Sequence, residues 1–415
     1  MAKYKWTFKS RFRSGAYSWK GTALASKRMR EAVSEIKKVA KKDSAKASEG
    51  AIELFSRIYP AVMHIDGSSG ALGTAVNKTI ETLIPIIIKA DWDMNTRGKW
   101  LEKLYQAVCD DGWDLLSVAT EQWGKICVYT GLAHLWADRF YPEIKAAWTN
   151  KTHDYGTGTA DICMSCLLET ERYDELHELI SARHHSFWPY DKFWAEALVR
   201  QGKVDEAIEY AESISPYDIH ISETYEIASF CEQVLIDHDR SDEAYEKYGL
   251  TVPLYDVYNN IFRGICKKYP KKDKRDILLD LIEKTCNKSK WFAAAKTIGE
   301  LDLALECAQA GDCDPGTLLR ATRDFSEKNP EFALNVGIEA MMVYLTATFH
   351  DPIQPEDIKG VYVILMTEAV KSDGEQWVRT ELTKRILKNS NRIKDNLKET
   401  VMGILERQKR FDPID

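Results

Sequence analysis

At 415 residues, with 44% hydrophobic residues and twelve tryptophans, the chain has ample material for a core and lacks the composition of a disordered segment. No apolar run approaches the roughly 20 residues that span a bilayer, and Lys or Arg interrupts the first 20 residues every few positions, so a cytoplasmic chain without a membrane span or signal peptide is expected. The net charge of −7 divides unevenly: residues 1–46 hold 14 Lys or Arg against 3 acidic residues, a balance of +11 that leaves −18 on the remainder.

The first stretch, Lys3-Tyr-Lys-Trp-Thr-Phe-Lys9, alternates basic and aromatic residues, and Arg11, Phe12, Arg13, Tyr17, Trp19 and Lys20 continue it loosely. The period of two predicts an extended basic aromatic arm over residues 1–21. Such an arm has three uses. Tyr4, Trp6 and Phe8 can pin it against the first helices. Alternatively it binds nucleic acid, with Trp6 and Phe8 stacking on bases while Lys3, Lys5, Lys9, Arg11, Arg13 and Lys20 neutralise phosphates, or it meets another acidic partner.

From Thr22 to Lys42, Leu24, Met29, Val33, Ile36 and Ala40 mark the apolar stripe of a helix rich in lysine elsewhere. Its basic face suits solvent, a membrane surface or nucleic acid, and its stripe suits packing on a second helix over Ala47–Tyr59. The glycine-rich stretch His64–Gly73 reads as a loop in which Ser68 or Ser69 caps a helix starting near Ala71. A phosphate cradle is the other reading, but the stretch lacks a Gly-Lys-Ser/Thr ending and no strand precedes it. The helix from Leu72 to Lys89 turns Leu72, Val76, Ile80, Leu83, Ile84 and Ile87 inward, with a kink expected at Pro85. Helices are expected over Thr96–Val108, Asp111–Tyr129 and Gly131–Trp148, with Trp100, Trp113, Trp123, Trp136 and Trp148 packed between them. The polar stretch Asn150–Gly158 is the expected end of a helical domain spanning 22–149.

The clearest periodicity lies beyond it. In Phe193–Pro216, Trp194, Ala195 and Leu198 share one helix face, Gly202 supplies a turn, and Val204, Ala207, Ile208 and Ala211 repeat at three- and four-residue steps. The Asp174-Glu175-Leu176 of a preceding copy stands 31 residues before Asp205-Glu206-Ala207, and a looser Asp242-Glu243-Ala244 follows 37 residues on. The segment resembles a tetratricopeptide repeat: Trp194, Ala195 and Leu198 sit at its large, small and large positions, Gly202 in its turn, Ala207 at its second small position, Tyr210 in its second helix and Pro216 near its end. The resemblance covers about Thr159 to Gly249 and implies an all-α solenoid of antiparallel helix hairpins. The whole arrangement also resembles a class of bacterial helical-repeat proteins, which implies an architecture and no activity.

After Ser241, helices are expected near Leu254–Lys268, Asp273–Cys286, Trp291–Gly299, Leu303–Ala310 and Gly316–Ser326, then from Pro330, over Ile358–Val370, Glu375–Lys388 and Arg392–Arg410. Repeats over 159–349 and a helical cap over 350–415 complete the expected domains.

Nine cysteines scattered along helices are expected to be reduced. Cys163 and Cys166 make a Cys-x-x-Cys, but Cys307 and Cys313 have the wrong spacing to complete a zinc site, so packing is the expected role. His184 and His185, adjacent in the linker Arg183–Tyr190, point apart on most backbones. No cofactor or metal is expected. The leading expectation is a non-catalytic scaffold that binds a protein or peptide partner in a solenoid groove, with Tyr190, Trp194, Glu196 and Arg200 as wall residues. Nucleic-acid association through the arm is second, and an enzyme using His64, Asp66, Ser68 and Ser69 is third.

Overall fold

The computed structural model describes residues 4–150, 158–214, 221–251, 257–346 and 353–409. Among these the fold is all-α, with 22 α-helices and no strand. The chain divides into two compact units within one helix, after Ile227.

The first unit holds α1 (Thr22–Ala40), α2 (Ser44–Val62), α3 (Ala71–Ile88), α4 (Met94–Cys109), α5 (Ser117–Glu121), α6 (Trp123–Cys127), α7 (Thr130–Thr149), α8 (Gly158–Glu169), α9 (Tyr173–Ala182), α10 (Trp188–Arg200), α11 (Val204–Ser213) and the start of α12 (Ile221–Asp237). α1 buries Ala25, Met29, Ala32 and Ile36, at steps of four, three and four, against α2 and α3. Asp43 and Asp93 start α2 and α4 by accepting the backbone N–H of Lys46 and Thr96, each at 2.7 Å. α3 is the one described helix long and apolar enough to cross a membrane by length and composition, and its inward residues Leu72, Val76, Ile80, Leu83, Ile84 and Ile87 all lie in the core.

The C-terminal end of α3 is closed by a buried cation. Arg97 of α4 is 1% exposed and donates to the carbonyls of Ile87 (3.1 Å), Ile88 (3.4 Å), Ala90 (2.8 Å) and Ile126 (3.0 Å). Its guanidinium also lies 5.3 Å from the ring centroid of Trp92. Carbonyls at a helix end carry partial negative charge, so they satisfy a cation that no carboxylate accompanies.

Two expectations fail in this unit. The helix predicted over Asp111–Tyr129 is broken into a turn, α5 and α6, because the Asp111 carboxylate accepts the backbone N–H of Trp113 (3.2 Å) and Leu116 (2.8 Å), while Asp114 and Val128 adopt positive φ of 53° and 62°. Composition placed a domain boundary at Asn150–Gly158, of which 151–157 lie outside the described residues, yet α8 packs on α5, α6 and α7.

The second unit continues with α13 (Ser241–Ala244) and a π-turn over Tyr245–Gly249, then α14 (Tyr258–Lys268), α15 (Lys274–Thr285), α16 (Phe292–Ile298), α17 (Leu301–Gln309), α18 (Pro315–Phe325), α19 (Pro330–Thr346), α20 (Pro355–Val370), α21 (Glu375–Lys388) and α22 (Asp395–Lys409). Pro315, Pro330 and Pro355 each open a helix, where a missing N–H costs nothing. Gly337 lets α19 lie against α18 and α20, since a Cβ there would stand 2.6 Å from Leu365 and 3.0 Å from Thr322.

One turn recurs along both units. After α8, α10, α12, α16 and α20 a residue takes positive φ: Glu171 (57°), Gly202 (77°), Asp239 (61°), Gly299 (85°) and Asp373 (52°). The next N–H then reaches back five residues, from Arg172 to Leu167, Lys203 to Leu198, Arg240 to Leu235, Glu300 to Ala295 and Gly374 to Ala369, at 2.9–3.1 Å. This is the Schellman closure of a helix. In the first three turns the basic residue then pairs with a glutamate three positions on, as Arg172–Glu175, Lys203–Glu206 and Arg240–Glu243.

Candidate functional site

The arm is docked rather than extended. A 3-10 turn over Thr7–Ser10 draws Trp6, Phe8, Phe12 and Tyr17 into the core, with Trp6 4% and Phe8 1% exposed, and Tyr4 stays outside. Gly50 of α2 makes the seat, because a Cβ there would lie 2.2 Å from the Trp6 ring. Trp6 and Phe8 therefore cannot stack on bases, which corrects their assignment as nucleic-acid contacts. Lys9 pairs with Glu53 at 2.8 Å and Arg11 with Glu31, whereas Lys5, Arg13 and Lys20 are exposed; Lys3 lies outside the described residues.

In the His64–Gly73 loop, Asp66 accepts the Ser68 N–H at 3.0 Å, which lowers its carboxyl pKa, and Gly70 at φ 69° precedes α3. Gly70 thus stands where Ser68 or Ser69 was expected to cap, and its side-chain-free backbone is the reason: the position is left-handed. Cys163 and Cys166 are buried in α8, and burial pushes the Cys163 thiol up to about 12 and the Cys166 thiol well above its ordinary value. Both are held as protonated thiols that fill the helix interface. No group of three or more His, Cys, Asp or Glu stands close enough to hold a metal among the described residues.

The four residues expected on a groove wall part company. Tyr190 is 6% exposed: the expected linker already turns into α10 at Trp188, and Arg183 lies over the rings of Trp148 and Tyr190. Burial next to Asp161 raises the Tyr190 hydroxyl. It is a core residue, not a wall residue. Beside it Asp191, 3% exposed, accepts from Arg183 (3.2 Å), the Tyr210 hydroxyl (2.8 Å) and the Phe187 N–H (2.6 Å), a fully bonded anchor for the start of α10. Trp194 lies against His177 of α9 in a tilted ring pair, with centroids 4.4 Å apart, and Arg200 bonds the Leu168 carbonyl (3.1 Å) and Glu169 (3.0 Å) at the end of α8. Glu196 lies half-exposed one turn beyond Lys192 on the same face of α10.

That face meets charge from three other helices. Asp161 of α8 takes a hydrogen bond from the Thr120 hydroxyl at 3.3 Å, and Lys192 pairs with Glu121 of α5 at 2.8 Å. Glu226 of α12 lies within the field of Lys192, Glu121 and Glu223. Desolvation first and the Glu121 charge second push the Asp161 carboxyl up to about 7, while desolvation raises Glu226 although that residue keeps solvent contact. Asp161, Glu121 and Glu226, with Asp114 nearby, face one ammonium, that of Lys192, so this cluster is acidic. A positive charge close to Asp161 would favour its ionised form and lower its pKa.

Asp161 offered one signal in the sequence, as the only carboxylate among the first eleven residues of an otherwise apolar α8. Glu121, Lys192 and Glu226 offered none, since they come together only through packing. No protein-family model, curated protein or solved structure matches the chain.

Proposed function

We propose that the chain is a non-catalytic interaction scaffold, a tetratricopeptide-like solenoid of antiparallel helix hairpins whose acidic concave wall takes a basic segment of a protein partner. The observation that carries this reading is Asp161, half-buried and raised to about 7 beside Glu121, with Glu226 on the same wall and only Lys192 against them. Like-charged carboxylates held together without enough counter-charge are costly alone and are relieved by a cationic ligand. The repeated Schellman turns after α8, α10 and α12 support the hairpin reading, since they end the first helix of each expected copy in the same way.

The test compares the wild-type chain with the Glu121→Gln, Asp161→Asn, Glu226→Gln variant in affinity capture from cells that express it. A stoichiometric partner held by the wild type and lost by the variant is expected. Calorimetry of that pair near pH 7, in buffers of different ionisation enthalpy, should register proton release from Asp161. Capture of no stoichiometric partner, or equal capture by both chains, would end the proposal.

A further inference from the structure

α1 has two polar faces of opposite character. On one, Glu31 holds Arg11 and Arg28, and Glu35 accepts from the Thr7 N–H (2.9 Å) and hydroxyl (2.6 Å), so the cations there are neutralised within the fold. On the other, Arg30, Lys37, Lys38 and Lys41 line a cavity of about 600 Å³ whose far wall is α3, with Lys78 contributing a fifth cation and Val33 and Ala75 small apolar surface. No carboxylate and no aromatic ring lines it. All five cations are exposed, and none has an ion-pair partner among the described residues.

We infer that this groove seats the sugar–phosphate backbone of a nucleic-acid strand, held by charge and not by base identity. Arg30 and Lys37 of α1 and Lys41 at its C-cap follow one stripe, and at 1.5 Å per residue the run from Arg30 to Lys41 is about 16 Å long. Positive charge spread over that length suits an extended polyanion; a single small anion would use one or two of the cations. A bilayer is flat and calls for large apolar side chains beside the lysines, whereas the apolar lining here, Val33 and Ala75, is small and set within a concavity. Ammonium groups provide point charges for phosphates, and the lack of rings removes base stacking, which leaves sequence-independent contact. The groove is separate from the docked arm, whose Trp6, Phe8, Phe12 and Tyr17 are buried, and from the acidic wall on α5, α8, α10 and α12.

The experiment titrates the full chain into a labelled single strand of about 20 nucleotides, and into the matching duplex, by fluorescence anisotropy between about 50 and 200 mM salt. Five phosphate contacts give a log–log salt slope of about −3.5 for the single strand. The Lys37→Gln, Lys41→Gln, Lys78→Gln variant should bind at least about tenfold more weakly, with the slope reduced by about 2. An arm variant, Lys5→Gln, Arg13→Gln, Lys20→Gln, should keep the wild-type slope, as should the neutralised acidic-wall variant, so this outcome is independent of the scaffold proposal. Unchanged circular dichroism shows that the exposed substitutions leave the fold intact. Absence of binding at the lowest salt, undiminished binding by the groove variant, or stronger binding to phosphatidylserine-containing vesicles than to both oligonucleotides would overturn the inference.

Discussion

Replacing Arg97 with methionine removes the cation that closes the end of α3 while keeping an unbranched side chain of similar reach. Four carbonyls lose a donor. Those of Ile87 and Ala90 also accept the backbone N–H of Ala90 (3.2 Å) and Trp92 (2.9 Å), so their loss is partial, whereas Ile88 and Ile126 are left without another partner among the described residues. At about 1–3 kcal/mol for each orphaned buried carbonyl, and with relief from no longer burying a charge set against it, the expected destabilisation is about 3 kcal/mol. Urea unfolding reports the total, and hydrogen exchange localises it: amides of α3, α4 and α6 should open more easily, while those of α18 and α19 in the second unit serve as an internal reference. Arg97→Lys should fall between, because one ammonium cannot reach four carbonyls in the geometry of a planar fork. An Arg97→Met chain as stable as the wild type, or more so, would mean that the cost of burying the guanidinium exceeds its hydrogen bonds, and the capping argument would be refuted.

Three further outcomes are expected. Gly50→Ala puts a methyl into the Trp6 ring, so the arm should undock, and trypsin should cleave at Lys9 and Arg11 at least about tenfold faster; unchanged cleavage would show that the arm is not held there. At Gly202 and Gly299 a Cβ would meet nothing within 4 Å, so alanine should cost only the left-handed backbone penalty of about 1 kcal/mol, and Glu171→Gly and Asp239→Gly should gain up to a similar amount, all read by urea midpoints. Asp161 has a folded pKa raised above its unfolded one, so the folded chain holds a proton that the unfolded chain releases between about pH 4 and 7, and stability from this group declines as pH rises through that window. Asp161→Asn should therefore improve the unfolding midpoint more at pH 8 than at pH 5; a difference that does not change with pH would remove Asp161 as the titrating group.

How much of this was legible from sequence depends on the range over which each feature is decided. Helices whose limits are set by their own residues were read closely: Glu375–Lys388 was placed at its observed bounds, and Pro330 and Pro355 open helices as their fixed φ predicts. The segment Asp111–Tyr129 was misread because its apolar spacing is helical, while the Asp111 carboxylate captures two backbone N–H groups and sets a turn that periodicity does not register. The repeat was read through its Asp-Glu pairs, yet the feature the copies share is the left-handed residue before them. That residue is glycine at Gly202 and Gly299 but Glu171, Asp239 and Asp373 elsewhere, so a search for glycine finds only part of the series.

The same reasoning explains why the two surfaces proposed for function differ in how well the sequence announced them. The basic groove draws four of its five cations from one helix and its C-cap, where a 3.6-residue period places Arg30, Lys37 and Lys41 on one stripe, so the charge was visible even though the partner wall on α3 was not. The acidic wall takes Glu121, Asp161, Lys192 and Glu226 from four helices, each separated from the next by at least 31 residues, and no local pattern specifies such a meeting. Tyr190 shows the converse error: an aromatic residue in a polar linker looks available for contact, but the cation–π seat formed by Arg183 and Trp148 and the fully bonded Asp191 beside it draw it inward. A wall assembled from distant residues is therefore best recognised by its electrostatic cost, and on this chain that cost is concentrated at Asp161, where a carboxylate with no cation of its own is raised to about 7.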